Sequence, residues 1–217
     1  MIANNIIING ILSTLLLFTL INVVLKIRYK DEKSLNYFLY FCMSYLIGIF
    51  LTSLRNTIPD FFSIVVAVTV LVLGYIFLYI AIRGLLGLDF KWLHRYFLPI
   101  IIVFFGLYIF TEVYYDLHLR IIIFSLFIIS HSITLSYFFW QASLKRLKII
   151  NIISAIAFIL ISIVFFLRAL YAVTMNHTIE FAYSTKFMVL SPYVALFVTL
   201  VIMMINIVLH LKKKYNF

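Results

Sequence analysis

IINIISAIAFILISIVFFLRALY, residues Ile149–Tyr171, decides the class of fold. It carries one charged residue, Arg168, in a run longer than the ~20 apolar residues that cross the hydrocarbon core of a bilayer as a helix. The run is continuous. A membrane barrel would instead alternate apolar and polar residues in segments of about ten. Working outward, six more runs of the same kind are found at Asn5–Leu25, Leu35–Leu54, Pro59–Ile82, Tyr96–Tyr114, Leu119–Trp140 and Pro192–Leu211.

These runs take up most of the 217 residues, of which 66% are hydrophobic and only 11% charged; the mean hydropathy is +1.19. A soluble domain is about 25% charged and has no means of hiding this much apolar surface. The expected fold is therefore all-α: an integral membrane bundle of seven transmembrane helices forming a single domain over residues 1–217. The amino terminus, MIANNIIINGILSTLLL, lacks a basic leader and a small-residue cleavage site, so it reads as a retained first span rather than a signal peptide.

The net charge of +10 does not point to nucleic acid, because the basic residues sit in short loops between apolar runs rather than on one clustered face. They report topology instead. Lys26, Arg28, Lys30, Lys33, Arg83, Lys91, Arg95, Lys145, Arg146, Lys148 and Lys212–Lys214 fall on one side. Only Arg55, Arg120, Arg168 and Lys186 fall on the other. Cytoplasmic loops are the basic ones. The amino terminus is thus expected outside and the carboxyl terminus in the cytoplasm.

Helices in lipid meet along small and polar residues. Such stripes appear at Ser44, Gly48 and Arg55; at Ser63, Ala67, Gly74 and Ala81; and at Ser125, Ser132 and Ser136. Others run through Asn151, Ala155, Ser162 and Ala169, and through Thr199, Asn206 and His210. Each is first of all a contact face; some can also line a cavity. The single cysteine, Cys42, lies inside an apolar run and reads as a small core residue. Ser191-Pro192 resembles a helix start, with serine as cap and proline in the first turn. If the last helix begins earlier, Pro192 becomes an internal proline.

Catalytic signatures are absent: there is no Gly-rich phosphate loop, no HExxH and no GxSxG. The five histidines are scattered without ligand spacing, and neither metal nor cofactor is expected. His131 lies near the middle of its span and reads as a neutral histidine bonded to a neighbouring Ser or Tyr rather than as a proton relay. Arg168, a turn from the outer end of its span, either snorkels to the headgroups or is a functional intramembrane charge. The densest constellation is Leu54-Arg55-Asn56-Thr57-Ile58-Pro59-Asp60, a tight outer turn. Pro59 suits a first helical turn, and Asp60 places negative charge at the positive end of that helix. Arg55 and Asp60 are placed to pair with each other, or to meet Arg168, Glu112 or Asp116 at the same level. The turn reads first as a cap clamped by an ion pair and second as the charged floor of an outward-facing ligand site.

LRNTIPDFFSIVVA (Leu54–Ala67), with Gly74-Tyr75 and Arg83-Gly84 after it, resembles the multi-span input region that precedes the GGDEF domain in bacterial diguanylate cyclases. No GGDEF, kinase or other effector sequence follows Lys214, so the resemblance implies the input role and no cyclase activity. The expected function is a non-catalytic, membrane-embedded sensory module of the bacterial inner membrane. Arg55, Asp60, Glu112, Asp116 and Arg168 are its candidate signal-sensing residues, His131 is an intramembrane polar candidate, and the Ala172–Ser191 segment also faces the signal. Expected partners are the lipid bilayer, a cytoplasmic effector domain or partner protein, and a second copy of the chain in a homodimer. The alternatives are a small-solute or proton transporter and a structural subunit of a membrane complex.

Overall fold

The computed structural model describes residues 2–88, 98–144, 148–174 and 186–215. Among these residues there are seven helices and no strand. They are α1 (Ile2–Arg28), α2 (Lys33–Ser53), α3, α4, α5 (Leu117–Ser143), α6 (Lys148–Thr174) and α7 (Lys186–Tyr215). Helix α3 opens with a π-helical segment, Phe61–Val66, and continues as α-helix over Ala67–Leu85. Helix α4 runs Leu98–Tyr108 and closes with a π-helical segment, Ile109–Val113.

Among the described residues six helices are long and apolar enough to cross a membrane: Asn9–Arg28, Lys33–Ser53, Phe61–Leu85, Leu117–Ser143, Lys148–Thr174 and Leu190–Tyr215. The described part of the expected fourth span, Leu98–Val113, is apolar but shorter. At about 1.5 Å per residue it reaches no more than roughly 24 Å, against a core of about 30 Å. Tyr96 and Phe97, which would lengthen it, lie outside the described residues, as do Lys91, Arg95, Lys145, Arg146 and positions 175–185 of the Ala172–Ser191 segment.

The surface is the reverse of a soluble protein's. Leu16, Leu17, Leu20 and Val24 on α1, and Ile149, Ile153, Leu160 and Phe166 on α6, are exposed. Ser63, Ser132, Asn151, Thr199 and Asn206 are buried. Water would drive the large aliphatic groups together and leave a much smaller apolar surface. Lipid does not, so small and polar side chains mark the contacts. The protein is built as a multi-pass membrane protein.

Helices stop where polar residues or proline interrupt the apolar runs. Between α1 and α2 the Lys26 ammonium folds back over the turn and donates to the carbonyls of Lys30 and Glu32. After α2 the Leu54 carbonyl accepts from the amides of Thr57 and Ile58, at 2.9 and 3.2 Å. Asn56 takes a left-handed backbone there, φ 73°, which asparagine tolerates better than most residues. Helix α7 departs from the expected start at Ser191-Pro192. It begins at Lys186, and Pro192 lies inside it. Proline has no amide to donate, so one rung of the helical ladder is missing there.

The chain divides into two compact units, Met1–Gly84 with Leu88–Phe124, and Leu85–Gly87 with Ser125–Phe217. In unit one, α1 packs along α2, and Cys42 of α2 is buried. Helices α2 and α3 approach through glycine. A Cβ on Gly48 would lie 2.6 Å from Leu71 and 3.0 Å from the Ala67 carbonyl; one on Gly74 would lie 2.9 Å from the Tyr45 ring. Tyr45 also meets Tyr75 edge-on, centroids 5.6 Å apart. In unit two the contacts are hydrogen-bonded. Ser136 of α5 donates to the Ala155 carbonyl of α6 at 2.9 Å. Asn206 of α7 donates to Ser154 Oγ of α6 at 3.0 Å.

Candidate functional site

Unit one has one end at which polar chemistry gathers. The π-helical start of α3 packs against α4 and its π-helical close, and Phe61 meets Tyr108 edge-on, centroids 6.3 Å apart. The α2–α3 and α4–α5 turns are therefore neighbours at this end. Four of the sequence-derived candidates sit on or beside these turns. Arg55 is half-buried and Asp60 exposed at the first; Glu112, in the π segment of α4, is exposed and Asp116 half-buried at the second. Single-turn π segments inside α-helices recur at functional sites, because the widened turn displaces carbonyls and side chains from their ordinary register.

Asp116 has a structural task. Its Oδ1 accepts from the amides of His118, at 2.8 Å, and Leu119, at 3.0 Å. It is the N-cap of α5, satisfying amides that have no partner within the helix. At α3 the backbone opens the helix instead: the Pro59 carbonyl accepts from the amides of Phe62 and Ser63.

Two residues beside Asp116 escaped the sequence reading. Arg120, counted there only as a loop charge, lies in the first turn of α5 and is 4% exposed. Its guanidinium carbon stands 4.5 Å from the centre of the Tyr115 ring. None of Nε, Nη1 and Nη2 has a hydrogen-bond partner among the described residues. Thr111, in the π segment of α4, is 7% exposed, and its Oγ1 also has no partner. The other described threonines all donate to a backbone carbonyl. The signal available in the sequence was positional. With Asp116 as cap, Arg120 becomes a cation at the positive end of a helix, where it is unfavourable unless something else offsets it.

The remaining candidates belong to unit two. Arg168 of α6 is half-buried, with its guanidinium carbon 5.6 Å from the centre of the Phe165 ring and within electrostatic reach of Tyr193 on α7. His131 is 7% exposed. Its Nδ1 lies 3.0 Å from the Phe127 carbonyl and 3.3 Å from Ser130 Oγ, and its ring packs on Phe127, centroids 4.0 Å apart. A carbonyl only accepts, so Nδ1 carries the proton in this arrangement. His131 is held by its own helix. Among the described residues no group of three or more His, Cys, Asp or Glu is placed to hold a metal ion.

The stripes expected at helix contacts are buried: Ser44, Gly48, Ser63, Ala67, Gly74, Ala81, Ser125, Ser132, Ser136, Asn151, Ala155, Ser162, Ala169, Thr199 and Asn206; His210 is half-buried. No known protein family, curated protein or solved structure matches this chain. The candidate site must be interpreted from its own chemistry: cations, carboxylates and aromatic rings gathered at two adjoining turns.

Proposed function

We propose that the chain is a membrane-embedded sensory input module that relays a signal from the outer face, or from the membrane, to a cytoplasmic effector or partner. In this reading it has seven spans. The Tyr96–Tyr114 run completes the fourth, the amino terminus is outside, and the carboxyl terminus lies in the cytoplasm of a bacterial inner membrane. The thirteen-to-four distribution of its 17 basic residues supports that orientation.

One observation carries the proposal: the end bearing Arg55, Asp60, Glu112 and Asp116 is where two helices meet through π-helical turns. A π turn differs from an α turn by one residue of register, so such a contact has two discrete packings available and a ligand that prefers one shifts the balance. The resemblance of Leu54–Ala67 to cyclase input regions supports the same role. In this reading helix α7, with Lys212–Lys214 in its last turn, passes the shift onward.

The test is distance measurement between spin labels at Thr57 and Tyr114, on the two exposed turns, in reconstituted protein. The expected result is a change in the distance distribution under a condition that alters cellular signalling. An unchanged distribution under every such condition defeats the proposal.

A second reading, a small-solute or proton transporter, rests on Pro192 inside α7 and the Asn206–Ser154 bond between α7 and α6. Interrupted helices and intramembrane polar groups are what transporters use. Flux into proteoliposomes would favour it over the sensor. Copurification with one defined membrane partner would favour a structural subunit over both.

A further inference from the structure

The guanidinium of Arg120 is the least satisfied cation described. All three of its nitrogens are buried from solvent and without a hydrogen-bond partner. The Tyr115 ring stacks over it at 4.5 Å and supplies a face but no lone-pair acceptor. The nearest carboxylate in sequence, Asp116, has Oδ1 engaged with the amides of His118 and Leu119. On the other side of the same short turn, Thr111 buries a second orphaned donor. A buried charge left without hydrogen bonds is strongly unfavourable, and arginine does not discharge itself by losing its proton. Two elements flanking one turn thus hold donors whose acceptor none of the described residues supplies.

We infer that Arg120 is the cationic anchor of an oxyanion site at the α4–α5 turn, taking a phosphate or carboxylate group. The planar fork of a guanidinium matches both groups with two parallel hydrogen bonds. The first turn of α5 adds the positive end of a helix, which attracts the same charge. Tyr115 is exposed, so its side chain can swing aside and act as the cover. The position, at the end of α4 and the start of α5, is the depth of lipid headgroups if the spans cross as proposed. A phospholipid phosphate and a soluble oxyanion therefore present the same chemistry to Arg120. The inference does not depend on the sensor reading, since a transporter or a structural subunit could carry the same site.

The experiment uses the full chain, purified in a phosphate-free maltoside detergent. In one arm inorganic phosphate and succinate are titrated, and saturable binding is measured by calorimetry. In the other, phosphatidylglycerol is added and retained lipid is counted by native mass spectrometry. The expected result is saturable binding in at least one arm. The arm that responds identifies the source of the oxyanion.

In that arm Arg120→Gln should weaken binding roughly tenfold or more, as expected for losing charge-assisted hydrogen bonds. Arg120→Lys, which keeps the charge and loses the fork, should fall between. Undiminished binding by Arg120→Gln overturns the inference, and so does absence of saturable binding by the wild type in both arms. If Arg120→Gln does not fold, as judged by helical circular dichroism, the decision passes to Tyr115→Ala. Removing the cover should change the rate of oxyanion release at least severalfold, and an unchanged rate overturns the inference.

Discussion

The two units solve the same problem by different means. In unit one the closest approach of two helices is made by absence. Gly48 and Gly74 let the α2 and α3 backbones close up, and aromatic rings at Phe41, Tyr45 and Tyr75 fill what remains. In unit two it is made by presence, with Ser136 and Asn206 donating across helix boundaries. Glycine packing tolerates no added volume, whereas interhelical hydrogen bonds tolerate volume but fail when one partner is removed. Both units leave buried polar groups unpartnered among the described residues, Arg120 and Thr111 in unit one and Ser125, Ser132 and Ser191 in unit two, while His131 of unit two is bonded within its own helix.

The largest effect expected from breaking this contrast is at Gly74. Gly74→Leu drives carbon into the Tyr45 ring, and overpacking of this kind typically costs about 1–3 kcal/mol or more. Steric trapping in bicelles should register the loss. Little change would mean that α2 and α3 are not held at this distance. Arg120→Met should act in the opposite direction. With no oxyanion present, replacing an unsatisfied buried cation by an apolar chain should stabilise the protein by about 1–3 kcal/mol. Destabilisation would mean that the guanidinium is satisfied after all.

In unit two, Asn206→Ala removes the bond to Ser154 and should cost about 1 kcal/mol, the usual scale for hydrogen bonds between membrane helices. Ser154→Ala in the same background should then add little, because the bond they share is already lost. Additive losses would show that the two residues act separately. The smallest effect is expected at His131. His131→Phe keeps the ring on Phe127 and gives up only a bond within one helix, so stability should change by less than about 1 kcal/mol. A larger loss, or a loss of proton flux, would give His131 the relay role that its hydrogen bonds argue against.

The stripes show why so much of the packing could be read in advance. Gly74 and Ser63 repeat on the face of α3 that meets its neighbours, and Asn151 and Ala155 do so on α6. In lipid only small and polar side chains distinguish a contact face from the rest, so their spacing is the packing code. Helix ends were less legible. Pro192 looked like a first-turn residue because proline is favoured there, yet the helix runs on past it to Lys186. The π segments at Phe61–Val66 and Ile109–Val113 left no trace in the pattern, since one residue of register does not disturb a run that is apolar on every side. Among the candidate site residues, Arg55, Asp60, Glu112 and Asp116 stood out because charge is conspicuous in an apolar chain. Arg120 was equally conspicuous, but a start at Leu119 placed it at the very edge of the helix, where it passed for a loop cation.

What the sequence alone determined is the solvent and the architecture that solvent demands. With 66% hydrophobic residues in long unbroken runs, the backbone must satisfy its own hydrogen bonds as helices, whatever the neighbours do. What only the tertiary structure decided is which polar groups are satisfied. Arg120 and His131 are both ionisable residues of one apolar helix. One is left with its nitrogens orphaned under a tyrosine and the other is tied to the carbonyl of Phe127. Whether a donor meets an acceptor depends on positions to within a few tenths of an ångström, set by packing across helices, and no one-dimensional pattern contains them.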